Sequence, residues 1–321
     1  MKFATFVHDG KRLAGVVAND QVHPFVHPAE LLTLIVEGEK CLRRAGERAL
    51  TGSLSVPMAD VRLLPPLQPP TVRDYMTFES HVAGVARGYG DTVPEEWYAA
   101  PAFYFTNPYA TIGAHDDVPV PPGCLRFDFE LEVAAVIGKA GRDLTPEQAR
   151  EHIIGYTILN DWSARDLQGR EMKVKLGPAK GKDTATTLGP WLVTTDELEP
   201  HRNAEGFLDL ALTVQVNGET IGRDRLANMA WTFEEMAAYA SRGTWIRPGD
   251  VLGSGTCGNG GCLAELWGRR GELSPPPLRP GDVVEMTVEG IGTIRNRVVP
   301  GLELPPVAPA RPRPRVRKRL P

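Results

Sequence analysis

The feature that most constrains this chain of 321 residues is a pair of glutamates set into apolar sequence, at Asp128-Phe129-Glu130-Leu131-Glu132. Side chains alternate between the two faces of a strand, so Glu130 and Glu132 share one face and their apolar neighbours share the other. Two like charges side by side repel each other, and they are tolerated only in water or around a cation. The segment therefore predicts either a solvated sheet face or the wall of a cation site.

A third acid follows a second apolar strand. The run from Ile153 to Leu159 has the continuous apolar pattern of a buried strand, and Asp161 stands where that run ends. Three carboxylates without a histidine or cysteine beside them form an all-oxygen donor set, which suits Mg²⁺, Ca²⁺ or Mn²⁺ rather than Zn²⁺ or copper. Two other interpretations stay open: the glutamates line the wet face of a sheet while Asp161 caps a turn, or two carboxylates serve a glycosidase and leave Asp161 without a role.

Composition is typical of a soluble enzyme, with 42% hydrophobic and 7% aromatic residues, enough for one large domain and a small one. No apolar run approaches the roughly 20 residues that span a bilayer, and the first residues lack the pattern of a signal peptide. We therefore expect a cytoplasmic protein without a membrane partner. The scattered cysteines match no C-x-x-C metal spacing, which predicts reduced thiols, with Cys257 and Cys262 as an alternative redox pair.

Charge is unevenly distributed along the chain. The last eleven residues carry six Arg and Lys without an acid, so the rest holds 30 basic against 40 acidic residues. An acidic body argues against nucleic acid as the main partner. The alternation of proline with arginine predicts a disordered tail over 304–321, whose contacts with RNA or anionic lipid would be weak.

Turn signals divide the chain into hairpins. Asp9-Gly10 and Asn217-Gly218 predict tight hairpin turns. Helical sequence is expected over 29–49, from Thr145 to His152 with Thr145 as N-cap, and from Thr232 to Ser241. Strands that come in hairpins favour a mainly β, α+β fold with a mixed sheet closing into a roll, rather than a doubly wound sheet.

A proline-rich linker over 65–70 predicts the domain boundary. We expect a small N-terminal β-rich domain over 1–66 and a larger catalytic domain over 67–303. The sequence has no G-x-G-x-x-G after a strand, no Walker loop and no G-x-S-x-G elbow, so neither nucleotide binding nor serine hydrolase chemistry has an anchor.

Six segments, in this order, resemble the fumarylacetoacetate hydrolase family over roughly residues 70 to 300. They are Arg73 to His81, Phe127 to Lys139, Asn160 to Gln168, Leu176 to Lys182, Gly253 to Thr256 and Gly290 to Asn296. Each segment alone is a weak signal, but six in sequence are a strong one. The resemblance implies a β-roll fold, a homodimer and a divalent metal held by carboxylates.

The resemblance also implies individual roles near the metal, in the longer, fumarylacetoacetase-like branch. Four acids match its metal ligands, and a lysine and a threonine match residues beside the metal: Asp74, Glu130, Glu132, Asp161, Lys182 and Thr186. A four-carboxylate site carries a formal charge of −4 that a dication only half neutralises, so a lysine there makes electrostatic sense.

His81 matches the general base, because histidine can take a proton from water near neutral pH. In the longer members a glutamate from a late strand orients this histidine, and Glu265 matches it here. The short members instead carry a glutamate three residues after the histidine, where this chain has Gly84. The partner of His81 is therefore expected to be Glu265, with Glu79 as the alternative.

Four further residues match substrate contacts in the family: Tyr104, Arg165, Gln168 and Thr256. Arg165 could clamp a carboxylate through two parallel hydrogen bonds. Its structural alternative is a salt bridge to Asp166 or Glu171.

These parts imply a metal-dependent hydrolase that cleaves a carbon–carbon bond in a 1,3-diketo or 2-oxo acid, of the fumarylacetoacetate or acylpyruvate type. Mg²⁺ is the expected cofactor, with Ca²⁺ or Mn²⁺ as alternatives. The same site could decarboxylate an oxaloacetate-like acid or shift a double bond, which leaves a decarboxylase or isomerase of aromatic catabolism open. A non-catalytic, metal-stabilised binding module is the alternative of another class.

Overall fold

A computed structural model describes residues 1–88 and 90–311. Within these ranges the chain forms 21 strands and eight α-helices. The strands are β1 Lys2–His8, β2 Lys11–Ala18, β3 Gln21–Pro24, β4 Val56–Pro57, β5 Arg62–Leu63, β6 Val72–Tyr75, β7 Phe103–Thr106, β8 Thr111–Ile112, β9 Val118–Pro119, β10 Phe127–Asp128, β11 Leu131–Ile137, β12 Gly141–Arg142, β13 Ile153–Asp161, β14 Ser163–Ala164, β15 Thr186–Thr194, β16 Ala211–Val216, β17 Glu219–Arg225, β18 Trp245–Ile246, β19 Val251–Gly253, β20 Val283–Val288 and β21 Gly292–Val299. The helices are α1 Leu31–Glu37, α2 Glu39–Thr51, α3 Glu79–Gly88, α4 Pro146–Ala149, α5 Arg165–Met172, α6 Thr195–Leu198, α7 Phe233–Ser241 and α8 Leu263–Arg270.

Twelve strands form the main sheet, in the order β4-β3-β2-β1-β15-β13-β11-β19-β6-β7, with β5 beside β1 and β8 beside β15. Most neighbours are antiparallel, but β6 runs parallel to β19 and β8 runs parallel to β15. A second sheet of five strands has the order β17-β16-β20-β21-β9. The predicted mainly β, α+β class with mixed sheets is confirmed.

The central strand β11 is buried on both faces, which explains its unbroken apolar sequence. Val133, Ala135 and Ile137 join the core that contains apolar residues of β16, β20 and β21 of the second sheet. Ala134 and Val136 join another core, which contains the buried residues of α1 and α2. A strand held in this way has little freedom to shift, so the side chains at its end are fixed in place.

The predicted hairpin turns and the predicted N-cap at Thr145 are confirmed. Asp9 and Gly10 have φ of 48° and 71°, and Asn217 and Gly218 have φ of 54° and 84°, as tight hairpin turns between twisted strands require. Thr145 and Thr232 each close a capping box at the start of α4 and α7. The helical stretch predicted over 29–49 forms two helices instead of one, because Gly38 between α1 and α2 adopts a φ of 105°.

The N-terminal strands belong to the main sheet, since β1 pairs with β15 as well as with β2. The domain division at residue 66 stays a prediction. Residues 304–311 are exposed and form no helix or strand, while residues 312–321, which hold most of the predicted disordered tail, lie outside the described part of the chain. No helix in the described ranges has the length and apolar character needed to cross a membrane.

Candidate active site

Strand pairing brings the predicted acids to one end of the main sheet. Asp74 on β6 pairs with Gly253 of β19 and with Tyr104 of β7. On the other side of β11, Asp161 at the end of β13 pairs with Thr186 of β15. Residues far apart in the chain therefore meet across neighbouring strands.

Three of the four acids share one buried position, and the fourth lies beside it. Asp74, Glu130 and Glu132 each place a carboxylate oxygen within 4.8 Å of the others. Lys182 connects the fourth, because its Nζ lies 2.6 Å from Asp161 Oδ2 and also pairs with Glu130. Glu130 is 4% exposed and Glu132 is fully buried, so the interpretation that they line a wet sheet face is wrong.

The donor set fits a hard divalent cation. In the described residues, three buried oxygens around this position lack a hydrogen-bond partner: Asp74 Oδ1, Asp161 Oδ1 and Thr186 Oγ1. Gly253 leaves the space between two of the acids open, since a Cβ there would lie 2.8 Å from Asp74 Oδ1 and 2.9 Å from Glu132 Oε2. Unpaired carboxylate oxygens in a buried, all-oxygen pocket are suited to Mg²⁺, Mn²⁺ or Ca²⁺.

The acids differ in how readily they ionise. Burial, followed by the neighbouring carboxylates, raises the pKa of Asp74 and of Glu132 well above the ordinary range. Burial also opposes the ionisation of Glu130, but Arg165 and Lys182 outweigh it and hold the pKa of Glu130 low. Glu130 is therefore ionised in the pocket, whereas Asp74 and Glu132 are acids whose ionisation a bound cation would favour.

Arg165 faces this pocket from the first turn of α5. Its guanidinium pairs with Asp128 at 2.8 Å and with Glu130 at 2.7 Å, and its NH1 group donates to Gln168 Oε1 at 3.2 Å. The alternative of a salt bridge to Asp166 or Glu171 is wrong, because those carboxylates instead accept hydrogen bonds from backbone N–H groups of loops over 125–126 and 179–181.

Asp128 lies at the site, although the sequence analysis assigned it no role. It is fully buried, and besides Arg165 it accepts hydrogen bonds from the backbone N–H groups of Leu263 at 2.8 Å and Ala264 at 3.0 Å. A carboxylate at this position satisfies the free amides at the start of α8 and complements the helix dipole. The only sequence signal was an acid at the head of an apolar segment.

His81 and Glu265 meet where α3 packs against α8, with Glu265 Oε2 4.0 Å from His81 Nδ1. The glutamate lies on a helix and not on the late strand that the resemblance implied. Cys262 caps this helix, since its Sγ accepts from the Glu265 N–H, and Gly271 ends it in the left-handed conformation. The alternative partner Glu79 is exposed and accepts a hydrogen bond from Tyr98.

Glycines let the two helices approach closely enough for this contact. A Cβ on Gly84 would lie 2.4 Å from Glu265 Cγ, and a Cβ on Gly268 would lie 2.1 Å from the Gly84 carbonyl oxygen. The position three residues after His81 therefore has no room for a side chain while Glu265 is in place. The glutamate of α8 occupies the space that a residue at 84 would need.

Burial sets the protonation of this pair. It lowers the pKa of His81 to about 4 and raises the pKa of Glu265 to about 7. Glu265 is fully buried, accepts backbone hydrogen bonds from Asn259 at 3.0 Å and Gly260 at 3.3 Å, and pairs with Arg269 at 2.6 Å. The imidazole is therefore neutral at neutral pH, with one ring nitrogen unprotonated, which is the form that a general base requires.

Two predicted substrate contacts lie against the acids. Tyr104 donates a hydrogen bond to Asp161, and Thr256 Oγ1 lies 3.5 Å from Glu132 Oε1. The structure thus gathers every residue predicted for the site at one end of the main sheet, and their roles stay predictions.

Comparison with known proteins identifies the family. The model of the fumarylacetoacetate (FAA) hydrolase C-terminal family matches residues 71–299. The chain belongs to the fumarylacetoacetate hydrolase family. Its β-roll fold is thereby confirmed, and the matched range includes all of the predicted site residues.

Relatives within this family carry different activities. Fumarylacetoacetase of Oryza sativa subsp. japonica is 30% identical, over 85% of this chain and 78% of that protein. An oxaloacetate tautomerase of Bacillus subtilis is 28% identical, over 93% of this chain and all of that protein. The crystal structure of maleylpyruvate hydrolase from Sphingobium sp. SYK-6, with manganese(II) and pyruvate, is 23% identical with a TM-score of 0.70 and covers 94% of this chain and all of that one. The chain is therefore a member of an enzyme family that includes hydrolases and tautomerases.

Proposed function

We propose that this protein is a divalent-metal-dependent hydrolase that cleaves a carbon–carbon bond in a 1,3-diketo or 2-oxo acid. One observation carries the proposal: a buried, neutral histidine, close to a buried glutamate, stands beside an all-oxygen cation pocket. Hydrolysis needs a group that takes a proton from water, and the pair of His81 and Glu265 supplies one.

The cation would be held by Asp74, Glu130, Glu132 and Asp161, and we propose Mg²⁺, with Mn²⁺ or Ca²⁺ as alternatives. The manganese bound by the Sphingobium maleylpyruvate hydrolase supports an ion of this class. When bound, such an ion polarises the carbonyl oxygens of a chelating substrate.

The remaining steps belong to side chains of this chain. His81 removes a proton from water, the oxygen of that water forms a bond to the substrate carbonyl carbon, and the adjacent carbon–carbon bond breaks. The electron pair stays with the departing carbon, which takes up the proton from His81. Glu265 orients the imidazole and stabilises its charged form, as the third member of a catalytic triad does.

Arg165 and Gln168 lie next to each other at the pocket, and we propose that they bind the substrate carboxylate. Arg165 is already held by Asp128 through Nε, at 2.8 Å. This contact fixes the plane of the guanidinium and reduces the entropy lost when a carboxylate binds. Tyr104 and Thr256 are proposed to contact the rest of the substrate.

Tautomerisation of an oxaloacetate-like acid is the second candidate function. The Bacillus subtilis relative, matched over its full length, favours it. The same base could move a proton between carbon and oxygen without adding water.

A substrate panel separates the two candidates. Purified protein with Mg²⁺ or Mn²⁺ is assayed on acylpyruvates, on fumarylacetoacetate and on the enol form of oxaloacetate. Release of two acids from a diketo acid, lost in His81→Ala, supports hydrolysis. Conversion of enol to keto oxaloacetate without cleavage of any diketo acid would refute hydrolysis and support the tautomerase. Inactivity on the whole panel with the metal bound would contradict both.

A further inference from the structure

Cys262 lies in the same pocket and takes no part in the proposed hydrolysis. Its Sγ is 3.7 Å from His81 Nδ1. Together with Glu130, these residues offer one sulfur, one nitrogen and one oxygen atom within 4.8 Å of one another. We propose that His81, Glu130 and Cys262 form a second, softer metal site that binds Zn²⁺.

The separation of the two softer donors matches zinc coordination. With Zn–S of about 2.3 Å, Zn–N of about 2.0–2.1 Å and a tetrahedral angle, the sulfur and nitrogen would lie about 3.6 Å apart. The observed distance of 3.7 Å between Cys262 Sγ and His81 Nδ1 is close to this value, so zinc could bind both atoms without a change in the backbone. All three side chains are buried, with relative exposures of 7% for His81, 4% for Glu130 and 0% for Cys262.

The two sites differ in the chemistry of their donors. Asp74, Glu132 and Asp161 supply only oxygen, which Mg²⁺ and Mn²⁺ prefer, whereas a thiolate and an imidazole are typical ligands of Zn²⁺. Both sites use Glu130, so they share one wall. Discrimination between metals therefore depends on Cys262 and His81.

Charge is balanced when a dication binds here. When the zinc–sulfur bond forms, the proton of Cys262 leaves to solvent, and the thiolate with the carboxylate of Glu130 balances the two positive charges. Glu130 must then share its oxygens with the metal. Its two present partners each keep another carboxylate, since Arg165 also pairs with Asp128 and Lys182 with Asp161.

Zinc on Nδ1 would occupy the nitrogen that faces Glu265, so that His81 loses its orienting partner, and it would also take up a carboxylate of the cation site. We therefore expect Zn²⁺ to inhibit hydrolysis, and because the two sites share only Glu130, excess Mg²⁺ should weaken this inhibition without abolishing it. The inhibition rests on the proposed function of His81, whereas the binding of zinc does not.

Cobalt(II) tests the binding directly, because thiolate ligation gives Co²⁺ an intense near-ultraviolet charge-transfer band. Full-length protein, stripped of metal, is titrated with Co²⁺ as wild type, Cys262→Ser and Cys257→Ser. Serine preserves the helix cap at 262, and Cys257 is an equally buried cysteine outside the cluster. The band is expected in wild type and Cys257→Ser and absent in Cys262→Ser.

Zinc affinity, measured by competition with a chromophoric chelator in excess Mg²⁺, should fall about tenfold or more in Cys262→Ser and in His81→Ala. It should stay unchanged in Cys257→Ser. Circular dichroism checks that each variant is folded. If Cys262→Ser does not fold, the zinc affinity of His81→Ala provides the test instead. Absence of the band in wild type, its persistence in folded Cys262→Ser, or full displacement of zinc by Mg²⁺ would overturn the site.

A kinetic measurement separates this inference from the proposed function. Zn²⁺ inhibition is measured relative to the uninhibited rate of each variant, and it should weaken at least about tenfold in Cys262→Ser. A cobalt band that depends on Cys262, without any inhibition by Zn²⁺, would uphold the metal site and refute His81 as the base.

Discussion

Replacement of Glu265 by Gln tests the protonation of the pair formed by His81 and Glu265. Glutamine has nearly the same shape but cannot ionise. The pKa of Glu265 rises from an ordinary 4.5 to about 7 in the folded protein, because burial disfavours the carboxylate more than Arg269 and two backbone amides favour it. The folded state therefore binds a proton that the unfolded state has already lost over this pH window.

The sign and size of the effect follow from proton linkage. A raised carboxyl pKa means that the contribution of Glu265 to stability falls as pH rises from about 4.5 to about 7. At about 1.4 kcal/mol per pKa unit, this contribution should fall by about 2.5 kcal/mol between pH 5 and pH 8. The variant lacks this dependence, so its stability relative to wild type should improve by about 2.5 kcal/mol over the same range.

Urea unfolding of metal-free wild type and variant, followed by tryptophan fluorescence, measures this difference at several pH values. Other titrating groups cancel because only the difference between the two proteins is used. A difference that is flat between pH 5 and pH 8, or that changes in the opposite direction, would show that the pKa of Glu265 is not raised. The variant should also lose turnover at pH 8, since glutamine cannot stabilise the charged form of His81.

Four further outcomes are expected. Glu130→Gln should weaken Mg²⁺ or Mn²⁺ binding strongly while the fold persists. If calorimetric titration of this variant gives the wild-type affinity, Glu130 is not a metal ligand. His81→Ala should lower hydrolytic kcat by about 10² to 10⁴-fold with little loss of Mg²⁺ binding, and a decrease of less than about tenfold would exclude it as the base. Asp128→Asn should destabilise the protein by about 3 kcal/mol in urea unfolding and raise KM, and wild-type values of both would show that its contacts are dispensable. Truncation after Leu304 should leave kcat/KM and the predicted homodimer unchanged, so a monomer in sedimentation, or a large loss of activity, would assign the tail to the folded assembly.

Local signals explain why much of the fold was predictable. The hairpin turns at Asp9-Gly10 and Asn217-Gly218 and the capping threonines act within a few residues, so the sequence alone specifies them. The apolar runs of β11 and β13 indicate burial on both faces in the same way. The positions of Glu130, Glu132 and Asp161 at the ends of these runs then led to the acid cluster.

Long-range contacts explain what was missed. The sequence around Glu265 is a short apolar run, which periodicity alone does not assign to helix or strand. Its helix is defined by packing against α3 through Gly84 and Gly268, a contact between segments far apart in the chain. Asp128 was overlooked for the same reason, because its partners Arg165 and Leu263 are 37 and 135 residues away.

Asp128 also connects the two halves of the candidate site. One of its oxygens accepts a hydrogen bond from the backbone N–H of Leu263 at the start of α8, the helix that carries Glu265. The other oxygen accepts a hydrogen bond from Arg165, which lies beside the buried acids. Arg165 in turn pairs with Glu130. Neutralising Asp128 would leave a buried guanidinium with one carboxylate fewer and a helix terminus without its anion. The loss of stability and the rise in KM expected for Asp128→Asn thus have a common origin, in one carboxylate that positions both the partner of His81 and the proposed clamp for the substrate.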